Sequence, residues 1–412
     1  MKLKRVVIQN YRSCLKTSID LDPNLSVLIG PNGSGKTNIL QAIMYLNKLA
    51  QQGNFISSRK RTITVSSRIN ASFHHGDQRI QLNASVSGYT DEANNDVILA
   101  SREKWFCKRR RGRQVSLDVP LAFVSFLGTR DVSGHTVFLH HFQRVYPLEM
   151  PKKAASWTFR ALSRVATYCR GIRYYGASQF TNPGSCPVSF EIIEEKGERR
   201  RPFRLRGHAK ILFDMYSAER ADSNRPYQQF IDIVGPKGLD LIDELTFREV
   251  RTSSTDYSVR VGGRIEVRKR HKLLVIPQFR IGRQKLSPNQ LSEGTFKTLA
   301  LLFHVITEDS TVLLIEEPEV CVHHGLLASI LELIKSHSQR KQMILSTHSD
   351  YVLDHVTPEN VYRVKFEHPA GTAISHVPET MTVKEFSALR EYLEREGNLG
   401  EFWREGGLGD RP

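Results

Sequence analysis

The sequence predicts an α/β protein in which a mixed β-sheet around a glycine-rich loop is assembled from the two ends of the chain. Three observations predict this class. A short apolar run, LSVLIG, is followed at once by a glycine-rich turn and then by a helix-type pattern. Strand and helix patterns alternate again from about residue 289 to residue 347. Between the two ends, short alternating runs separated by Gly, Asn and Asp predict antiparallel strands.

The N-terminal and middle elements follow in order. LKRVVIQNY and LKTSIDL alternate between apolar and polar residues, which predicts two strands before LSVLIG, and TNILQAIMYLNKLA predicts the helix after the turn. Alternating runs between residues 60 and 118 predict a small antiparallel sheet. The middle is mixed, with helix patterns at residues 154–168 and 209–221 and a second group of strands at residues 245–275.

The C-terminal elements are a helix over residues 289–306, the strand TVLLI, the helix GLLASILELIKS and the strand QMILST. After His348 we expect mainly one amphipathic helix, VKEFSALREYLER, followed by a frayed glycine-rich tail. The helix has an apolar stripe of Phe386, Leu389 and Leu393, which either packs on its own domain or docks a partner. No long heptad pattern appears, so no coiled-coil arm is expected.

Composition narrows the class of protein. The chain has 412 residues, 40% hydrophobic and 25% charged, which is typical of a globular protein with two lobes of ordinary size. The longest apolar run, LALLF, is far shorter than the roughly 20 residues that span a bilayer, and no signal-peptide pattern opens the chain. Five scattered cysteines without a CxxC pair predict reduced thiols in a cytoplasmic protein.

The charge balance points to a polyanionic partner. Lys and Arg total 59 against 43 acidic residues, a formal net charge of +16. The excess is concentrated in the middle of the chain, in KRRRGR (residues 108–113), RRRPFRLR (residues 199–206) and RKRHK (residues 268–272). One such cluster would most simply solvate an exposed face. Three in one region favour nucleic acid as the partner, although the sequence does not separate DNA from RNA.

A phosphate-binding loop is predicted at residues 30–37, which read GPNGSGKT. This is a full match to G-x-x-x-x-G-K-[ST], and it lies between a buried strand and a helix, as the motif requires. Glycines allow successive backbone N–H groups to point at phosphate oxygens, and the helix N-terminus favours negative charge. Lys36 is expected on the β and γ phosphates of ATP, and Thr37 on Mg²⁺. The expected nucleotide contacts in this loop are Asn32, Gly33, Ser34, Gly35, Lys36, Thr37 and Asn38.

Two adjacent carboxylates follow the strand TVLLI, in the segment TVLLIEEPE. A P-loop needs an acidic strand end to hold the metal and to orient water. We therefore expect Glu316 to hold Mg²⁺, directly or through water, and Glu317 to polarise the attacking water. The alternative for such a pair is a plain solvated turn.

Two further segments complete the predicted site. LSEGT (residues 291–295) opens a helix, with Ser292 as its N-cap and free N–H groups behind it, including that of Gly294. STHSD (residues 346–350) follows the strand QMILST and places His348 at a strand exit, near the expected γ-phosphate. Taken separately, the first would be an ordinary helix cap and the second a structural histidine.

The order of these segments resembles the ABC-type ATPase heads of the SMC, RecF and OLD group. The N-terminal IQNYRS resembles the opening N-[FY]-R-S of that group, and EEPE followed by VCVHH resembles its D-E-P-E-x-x-L-H-P stretch. The resemblance implies that Arg12 contacts the nucleotide. YYGASQF resembles the Q-loop, which implies that Gln179 lies near Mg²⁺ and the attacking water. It also implies a homodimer, and within larger assemblies a higher oligomer, with each ATP between Lys36 of one subunit and Ser292 of the other.

Departures from the group's pattern shape the functional hypothesis. Glu316 stands where the group usually has aspartate, and His324 where it has proline. We expect no coiled-coil arm, and no acidic DxD cluster of a Toprim nuclease follows the histidine segment. Short heads of this kind resemble the ATPase subunits of bacterial anti-phage systems of the Septu and retron-linked types, whose usual partner is a separate nuclease or toxin. A RecF-like repair factor is the alternative. A transporter ATPase and a stand-alone nuclease fit less well, and no membrane partner is expected.

These patterns predict four regions. Residues 1–180 form the N-terminal half of the ATPase head and residues 286–378 its C-terminal half. Residues 181–285 form an inserted basic lobe, and residues 379–412 the C-terminal helix and tail.

Overall fold

A computed structural model describes residues 1–51, 65–90, 96–110, 112–119, 152–195, 198–200, 205, 207–259, 265–307, 310–320, 322–395 and 397–408. The chain forms two compact units. Unit 1 comprises Met1–Tyr174, Asp309–Glu317 and Leu331–Pro412, and unit 2 comprises Tyr175–Glu308 and Pro318–Ile330. Of the basic clusters, residues 111, 201–204 and 206 lie outside the described residues. The four regions predicted from the sequence remain predictions.

The first sheet of unit 1 is antiparallel, as the alternating runs between residues 60 and 118 predict, and it also contains the two predicted N-terminal strands. Its strand order is β2-β1-β4-β5-β6-β7. The strands are β1 (Lys2–Tyr11), β2 (Cys14–Asp20), β4 (Val65–His75), β5 (Gln78–Thr90), β6 (Asp96–Arg109) and β7 (Val115–Val119). Side chains alternate between the two faces of a strand, so one face buries residues such as Phe73, Ile80 and Trp105 while the other carries polar residues.

A second six-stranded sheet contains the strands that flank the glycine-rich loop. Its order is β17-β16-β3-β15-β14-β8, in which β16, β3, β15 and β14 run parallel and β17 runs antiparallel to β16. This confirms the predicted sheet of mixed orientation. The strands are β3 (Leu25–Ile29), β8 (Ile172–Gly176), β14 (Val312–Glu316), β15 (Gln342–Thr347), β16 (Val361–Glu367) and β17 (Gly371–His376).

Helices α1 (Lys36–Gln51) and α2 (Lys152–Arg170) pack together in unit 1, and buried amide side chains fix the surrounding elements. Asn47 on α1 donates to the carbonyl oxygens of Cys169, Arg170 and Ile172 at 3.0–3.1 Å. Gln342, fully buried at the start of β15, bonds both backbone groups of Leu3 at 2.9 and 3.0 Å. Because unpaired buried amides are costly, these bonds specify how the two sheets meet.

Unit 2 is a mixed α/β body, which confirms the prediction for the middle of the chain. Its antiparallel sheet has the order β10-β9-β12-β11, with β13 paired to β12. The strands are β9 (Phe190–Glu195), β10 (Glu198–Arg200), β11 (Glu244–Val259), β12 (Ile265–Ile281) and β13 (Gln284–Leu286). The helices are α3 (Gly207–Glu219), α4 (Arg225–Val234) and α5 (Glu293–Ile306). Phe230 and Phe303 meet edge to face at 5.4 Å between α4 and α5.

The C-terminal part differs from the expectation in two ways. It contains α6 (His324–Ser338), α7 (Asp350–Leu353), α8 (Val383–Arg395) and α9 (Leu399–Arg404). The prediction of mainly one helix after His348 is wrong, because β16 and β17 precede α8.

The frayed tail is also wrong up to residue 408, because α9 buries Leu399 and Trp403. Gly400 permits this packing: a Cβ there would lie 2.3 Å from the carbonyl oxygen of Asp350, and its N–H donates to Asp354 Oδ1 at 2.8 Å. Such a contact between distant segments leaves no trace in a local pattern.

The apolar stripe of α8 packs partly on its own unit, since Leu389 is buried while Phe386 and Leu393 are half-buried. Among the residues that the structure describes, no helix has the length and apolar character needed to cross a membrane.

Candidate nucleotide-binding and hydrolysis site

Parallel pairing brings three predicted segments of unit 1 to one edge of the mixed sheet. Glu316 at the end of β14 lies opposite Ser346 on β15, and Thr347 at the end of β15 lies opposite Ile29 on β3. The carboxyl ends of parallel strands share an edge, where open α/β sheets bind their ligands. The glycine-rich loop, the acidic pair and His348 therefore follow neighbouring strand ends.

Three glycines of the glycine-rich loop have positive φ angles. At two of them, neighbouring atoms also leave no room for a side chain. Gly30, Gly33 and Gly35 have φ values of +155°, +81° and +103°. A Cβ on Gly30 would lie 2.2 Å from the carbonyl oxygen of Val364, and one on Gly35 would lie 2.1 Å from Thr372 Oγ1. Val364 on β16 and Thr372 on β17 thus pack directly against the loop backbone. The sequence does not predict this contact.

Polar side chains behind the loop hold it in place. Thr372 Oγ1 lies 2.8 Å from Ser13 Oγ and 3.1 Å from the carbonyl oxygen of Ser34. Asn38, in the first turn of α1, donates from Nδ2 to Ser13 Oγ at 2.7 Å. Asn38 and Ser13 belong to the predicted motifs, but in this structure they support the loop from the side of β17.

The loop interior has the character of a phosphate site. Lys36 is 6% exposed, and its ammonium donates to the carbonyl oxygens of Gly30 at 2.6 Å and Pro31 at 3.0 Å. The Ser34 hydroxyl is buried without a hydrogen-bond partner. Asn32 and Gly33 are both exposed. A Cβ on Gly33 would meet no atom within 4 Å, so the space beside this glycine is open. A buried cation, an orphan hydroxyl and a helix N-terminus together fit a bound phosphate group.

The Glu316 carboxylate accepts hydrogen bonds from two hydroxyls. Thr37 donates to its Oε1 and Tyr174, on β8, donates to its Oε2. Burial, followed by the charge of Glu316, raises the pKa of Tyr174, so its hydroxyl remains a donor at any ordinary pH. Sequence reasoning missed Tyr174, and the only signal was its position at the start of the YYGASQF segment.

The oxygens of Thr37 and Glu316 fit Mg²⁺ chemically. Magnesium at nucleotide sites is commonly held by one or two protein oxygens, with phosphates and water completing the shell. In the part of the chain that the structure describes, no group of three or more His, Cys, Asp and Glu side chains could enclose a metal ion. Among the described residues of unit 1, Thr37 and Glu316 therefore offer two adjacent oxygen donors for Mg²⁺.

Glu317 combines a strained backbone with a contact to His348. Its φ of 48° lies in the left-handed region, which costs a non-glycine residue roughly 1–2 kcal/mol. Its N–H donates to the carbonyl oxygen of Ser346 at 2.9 Å, and its carboxylate Oε1 lies 3.4 Å from His348 Nδ1. Both side chains are partly exposed. Strain of this kind, held by a hydrogen bond at a strand exit, is typical of functional sites.

Arg12 lies in the turn between β1 and β2, which two left-handed residues, Asn10 at φ 54° and Arg12 at φ 50°, make possible. Its guanidinium donates to Gln41 Oε1 on α1 and lies 5.4 Å from the Tyr11 ring centroid. The side chain is therefore anchored to the helix that begins in the loop, although the residue as a whole is exposed.

The other predicted site residues belong to unit 2. Ser292 is the N-cap of α5, as predicted: its Oγ accepts from the N–H of Thr295 at 3.1 Å, and the residue is exposed. Gly294 lies in the first turn of the same helix. Gln179 is exposed in a short 3-10 turn, Ala177–Phe180. Contact of these residues with nucleotide or metal remains a prediction.

The P-loop between a buried strand and a helix, the acidic strand end and the capped LSEGT helix support an ATPase domain of the ABC type. Comparison with protein families agrees. Residues 1–119 match the family model described as "AAA ATPase domain", and residues 218–354 match the one described as "AAA domain, putative AbiEii toxin, Type IV TA system". The resemblance to the ABC-type ATPase group is confirmed at this level, and the anti-phage subgroup stays a prediction.

Curated relatives match only short stretches. The chain is 34% identical over 95 residues to the DNA replication and repair protein RecF of Psychromonas ingrahamii, a match that covers 22% of this chain and 26% of that protein. With RecF of Lactobacillus acidophilus it is 46% identical over 46 residues, covering 11% of this chain and 12% of the relative. These matches thus span about a quarter of the relatives' length or less.

Among solved structures, the chain is similar to the SMC head domain from Thermotoga maritima, with a TM-score of 0.41 and 14% identity over 92% of this chain and 99% of that one. An SMC head bound to the C-terminal winged-helix domain of ScpA gives a TM-score of 0.42 and 12% identity over 92% and 100% of the two chains.

Proposed function

We propose that this protein is a Mg²⁺-dependent ATPase that binds nucleic acid and controls a separate effector protein. One observation carries the ATPase part. The glycine-rich loop, the Glu316–Glu317 pair and His348 follow the carboxyl ends of three neighbouring strands, and Thr37 already donates to Glu316. A nucleotide phosphate, a divalent cation and a water would find complementary groups at this edge.

The residues of unit 1 divide the chemistry among them. Lys36 exchanges its two carbonyl partners for phosphate oxygens, and the loop N–H groups supply further donors. Thr37 and Glu316 would hold Mg²⁺, which neutralises charge on the phosphates when bound. Glu317 accepts a proton from the attacking water or orients it, and His348, 3.4 Å away, holds this carboxylate in position and donates toward the γ-phosphate.

A second copy of the chain would complete the site. In this proposal Ser292 and Gly294 of one subunit present the N-terminus of α5 to the ATP held by Lys36 of the other. The exposure of Ser292 and its role as N-cap support this arrangement. Gln179 would approach Mg²⁺ and the attacking water, and Arg12 the nucleotide.

Two observations support nucleic acid as the proposed partner: the positive net charge of the chain and the names of the matched relatives. The net charge of +16 is concentrated in the middle of the chain. The matched relatives are named for DNA replication and repair, while the family description over residues 218–354 names a toxin and a TA system. The second description favours the ATPase subunit of a cytoplasmic anti-phage defence system. A RecF-like repair ATPase is the second candidate, and the names of the matched relatives favour it.

The ATPase assignment is tested by hydrolysis and by assembly. Lys36→Ala should weaken ATP binding because it removes the positive charge from the phosphate site. Glu317→Gln should retain ATP, lower kcat by about 10²–10⁴-fold and accumulate a dimer in light scattering. Glu332→Gln, which removes an exposed carboxylate from α6, is the matched control and should hydrolyse ATP normally. Wild-type turnover by Lys36→Ala or Glu317→Gln would contradict the assignment.

The effector is tested by looking for cleavage. ATP closure of a dimer changes shape but does not break a phosphodiester, which needs its own catalytic groups. The purified chain should therefore leave plasmid, single-stranded DNA and tRNA uncut with Mg²⁺ or Mn²⁺, with and without ATP. Cleavage that persists in Lys36→Ala through repeated purification would reveal a nuclease in this chain. Damage that appears only with a neighbouring gene product would favour the defence reading over the repair one.

A further inference from the structure

The solvent side of the antiparallel sheet in unit 1 is strongly basic. We call this surface the outer sheet face and define it by the outward residues of β1, β2, β4, β5 and β6, which alternate with the buried ones. Its exposed charged side chains, among the residues that the structure describes, are six cations and the carboxylate of Asp20; the cations are Arg5, Lys16, Arg68, Arg79, Lys104 and Lys108. All seven are exposed, and Asp20 pairs with Arg5 at 3.2 Å. The face therefore has a net positive charge.

Register arranges these residues in rows across the strands. One row joins His74, Arg79 and Lys108, and another joins Asn70, Asn83 and Lys104. A third joins Lys16, Gln9, Arg68 and Ser85. Directly opposite residues on neighbouring strands are about 4.5–5.5 Å apart and lie on the same face.

Two hollows lie on this surface. One, of about 540 Å³, is lined by His74, Arg79, Lys108, Arg109 and Arg110, with Gly76 and Asp77 at its turn. The other, of about 370 Å³, is lined mainly by Gln9, Arg68, Asn70, Asn83 and Lys104. Burial, followed by the charges of Arg79 and Lys4, lowers the pKa of His74. Cations and amides lining concave surface suit phosphate and sugar oxygens.

An aromatic ring lies between the two hollows. Phe106 is half-buried on β6, between Lys104 and Lys108, and the Lys104 ammonium is 5.7 Å from its ring centroid. Its neighbours across the strands are Gln81 and Ser116, both exposed and polar. Phe106 is therefore an aromatic side chain on a polar surface. Packing in an apolar core does not explain why an aromatic residue occupies this position.

We propose that the outer sheet face binds single-stranded nucleic acid, with phosphates on the Arg79–Lys108 row and on the two further rows that contain Lys104 and Arg68, and with a base stacked on Phe106. An aromatic platform flanked by cations is how proteins hold single strands without sequence preference, because every base has a π-face. A duplex keeps those faces inside its stack and would leave Phe106 unused. This proposal rests on the nucleic-acid part of the proposed function and assigns it a surface and a strand type.

Binding is measured by fluorescence anisotropy at low salt and across a salt series. The probes are an oligothymidine of about 20 nucleotides, longer than the roughly 4–16 nucleotides of one single-strand module, and a duplex of equal length. The wild type should prefer the single strand. Lys104→Gln with Lys108→Gln should flatten the log–log salt slope by about 1.4, which is 0.7 for each lost phosphate contact.

Phe106→Leu separates stacking from charge. It retains an apolar side chain in the sheet, and it should weaken single-strand binding by about 10-fold while leaving the salt slope unchanged. A 2-aminopurine base in the strand should lose fluorescence on the wild type and much less on Phe106→Leu. The control replaces two exposed cations elsewhere in unit 1, Lys384→Gln with Arg340→Gln, and should bind as the wild type does. Circular dichroism and basal ATPase activity verify that each variant is folded.

The outcomes distinguish the site from the function. If the wild type binds neither probe at low salt, the nucleic-acid part of the proposed function is wrong, and this site with it. If the wild type binds and the lysine pair and Phe106→Leu bind equally well, only the site is wrong. A preference for duplex that Phe106→Leu leaves intact would contradict the single-strand assignment.

Discussion

The edge of the mixed sheet and the outer sheet face are both polar surfaces of unit 1, but they are built in opposite ways. At the edge, single atoms have assigned partners: Lys36 is held by two carbonyl oxygens, Glu316 by two hydroxyls and Glu317 by a backbone bond in a strained conformation. On the face, exposed cations repeat along rows, and no one of them is tightly enclosed.

The difference reflects two kinds of task. Hydrolysis requires a few groups at positions accurate to fractions of an ångström, since misplacement of about 1 Å can cost a hundredfold in rate. Binding a phosphate backbone requires many weak contacts that tolerate displacement and are screened by salt. Single substitutions should therefore be severe at the edge and gradual on the face. The following predictions test this contrast, from the largest effect to the smallest.

Gly35→Ala should produce the largest loss. The new Cβ would lie 2.1 Å from Thr372 Oγ1, at a φ of +103°, so the loop cannot keep its shape. We expect ATP affinity, measured by isothermal titration, to fall at least about 100-fold, which corresponds to roughly 2.7 kcal/mol.

Gly33→Ala is the matched control for Gly35→Ala. It has the same unfavourable sign of φ, +81°, but open space around the Cβ. It should lose only the conformational cost of roughly 1–2 kcal/mol, or about 5–30-fold in affinity. Equal losses in the two variants would show that close packing of β17 on the loop does not matter for binding.

Mixing two inactive proteins should restore activity if the edge is completed by a second copy. Lys36→Ala and Ser292→Arg should each be inactive in ATP hydrolysis. Their heterodimer has one site with both defects and one with neither, so about half of the activity per mixed dimer should return. The hydrolysis rate of the mixture measures this, and formation of mixed dimers is verified with two affinity tags. Failure to recover activity in demonstrated heterodimers would contradict the two-subunit site.

Tyr174→Phe should have a moderate effect at the edge. It removes one of the two hydroxyls that orient Glu316. Hydrogen bonds to charged groups contribute about 1.5–3 kcal/mol, so we expect kcat to fall by about 10–100-fold. The Mg²⁺ concentration for half-maximal binding of a fluorescent ATP analogue should rise as well, which a purely structural role would not produce.

Tyr175→Phe is the control for that variant. Its hydroxyl is buried in unit 2 and donates to the carbonyl oxygen of Lys297 at 3.2 Å. It should lower thermal stability without changing the Mg²⁺ dependence. Because burial beside Glu316 raises the pKa of Tyr174, the wild-type hydroxyl stays protonated as pH rises, and the difference between wild type and Tyr174→Phe should persist through alkaline pH.

Neutralising the basic cluster of unit 2 should have the smallest effect on chemistry. Arg199→Gln, Arg200→Gln and Arg201→Gln together should flatten the log–log salt slope of binding to duplex DNA by up to about 3 units. Basal ATP hydrolysis should be nearly unchanged. If binding does not depend on salt, these arginines do not contact phosphates and are simply solvated surface residues.

Much of the edge could be predicted from the sequence because its signals are local. GPNGSGKT between a buried strand and a helix, two carboxylates after TVLLI, and Ser292 ahead of a helix pattern each depend on a few consecutive residues. Strand alternation likewise predicts the antiparallel sheet at residues 60–118 and the strands at residues 245–275, because the period of side chains in a strand is a property of the backbone.

Contacts between distant segments were decided only by the tertiary structure. Thr372 packs against Gly35, and the Tyr174 hydroxyl donates to Glu316. Helix α9 packs against α7 at Gly400. The rows of the outer sheet face likewise exist only through strand register. A single sequence encodes the conformations that each short segment prefers, whereas these contacts depend on which segments pair and in what register. Burial of the whole core sets that pairing, so it cannot be read from any local pattern.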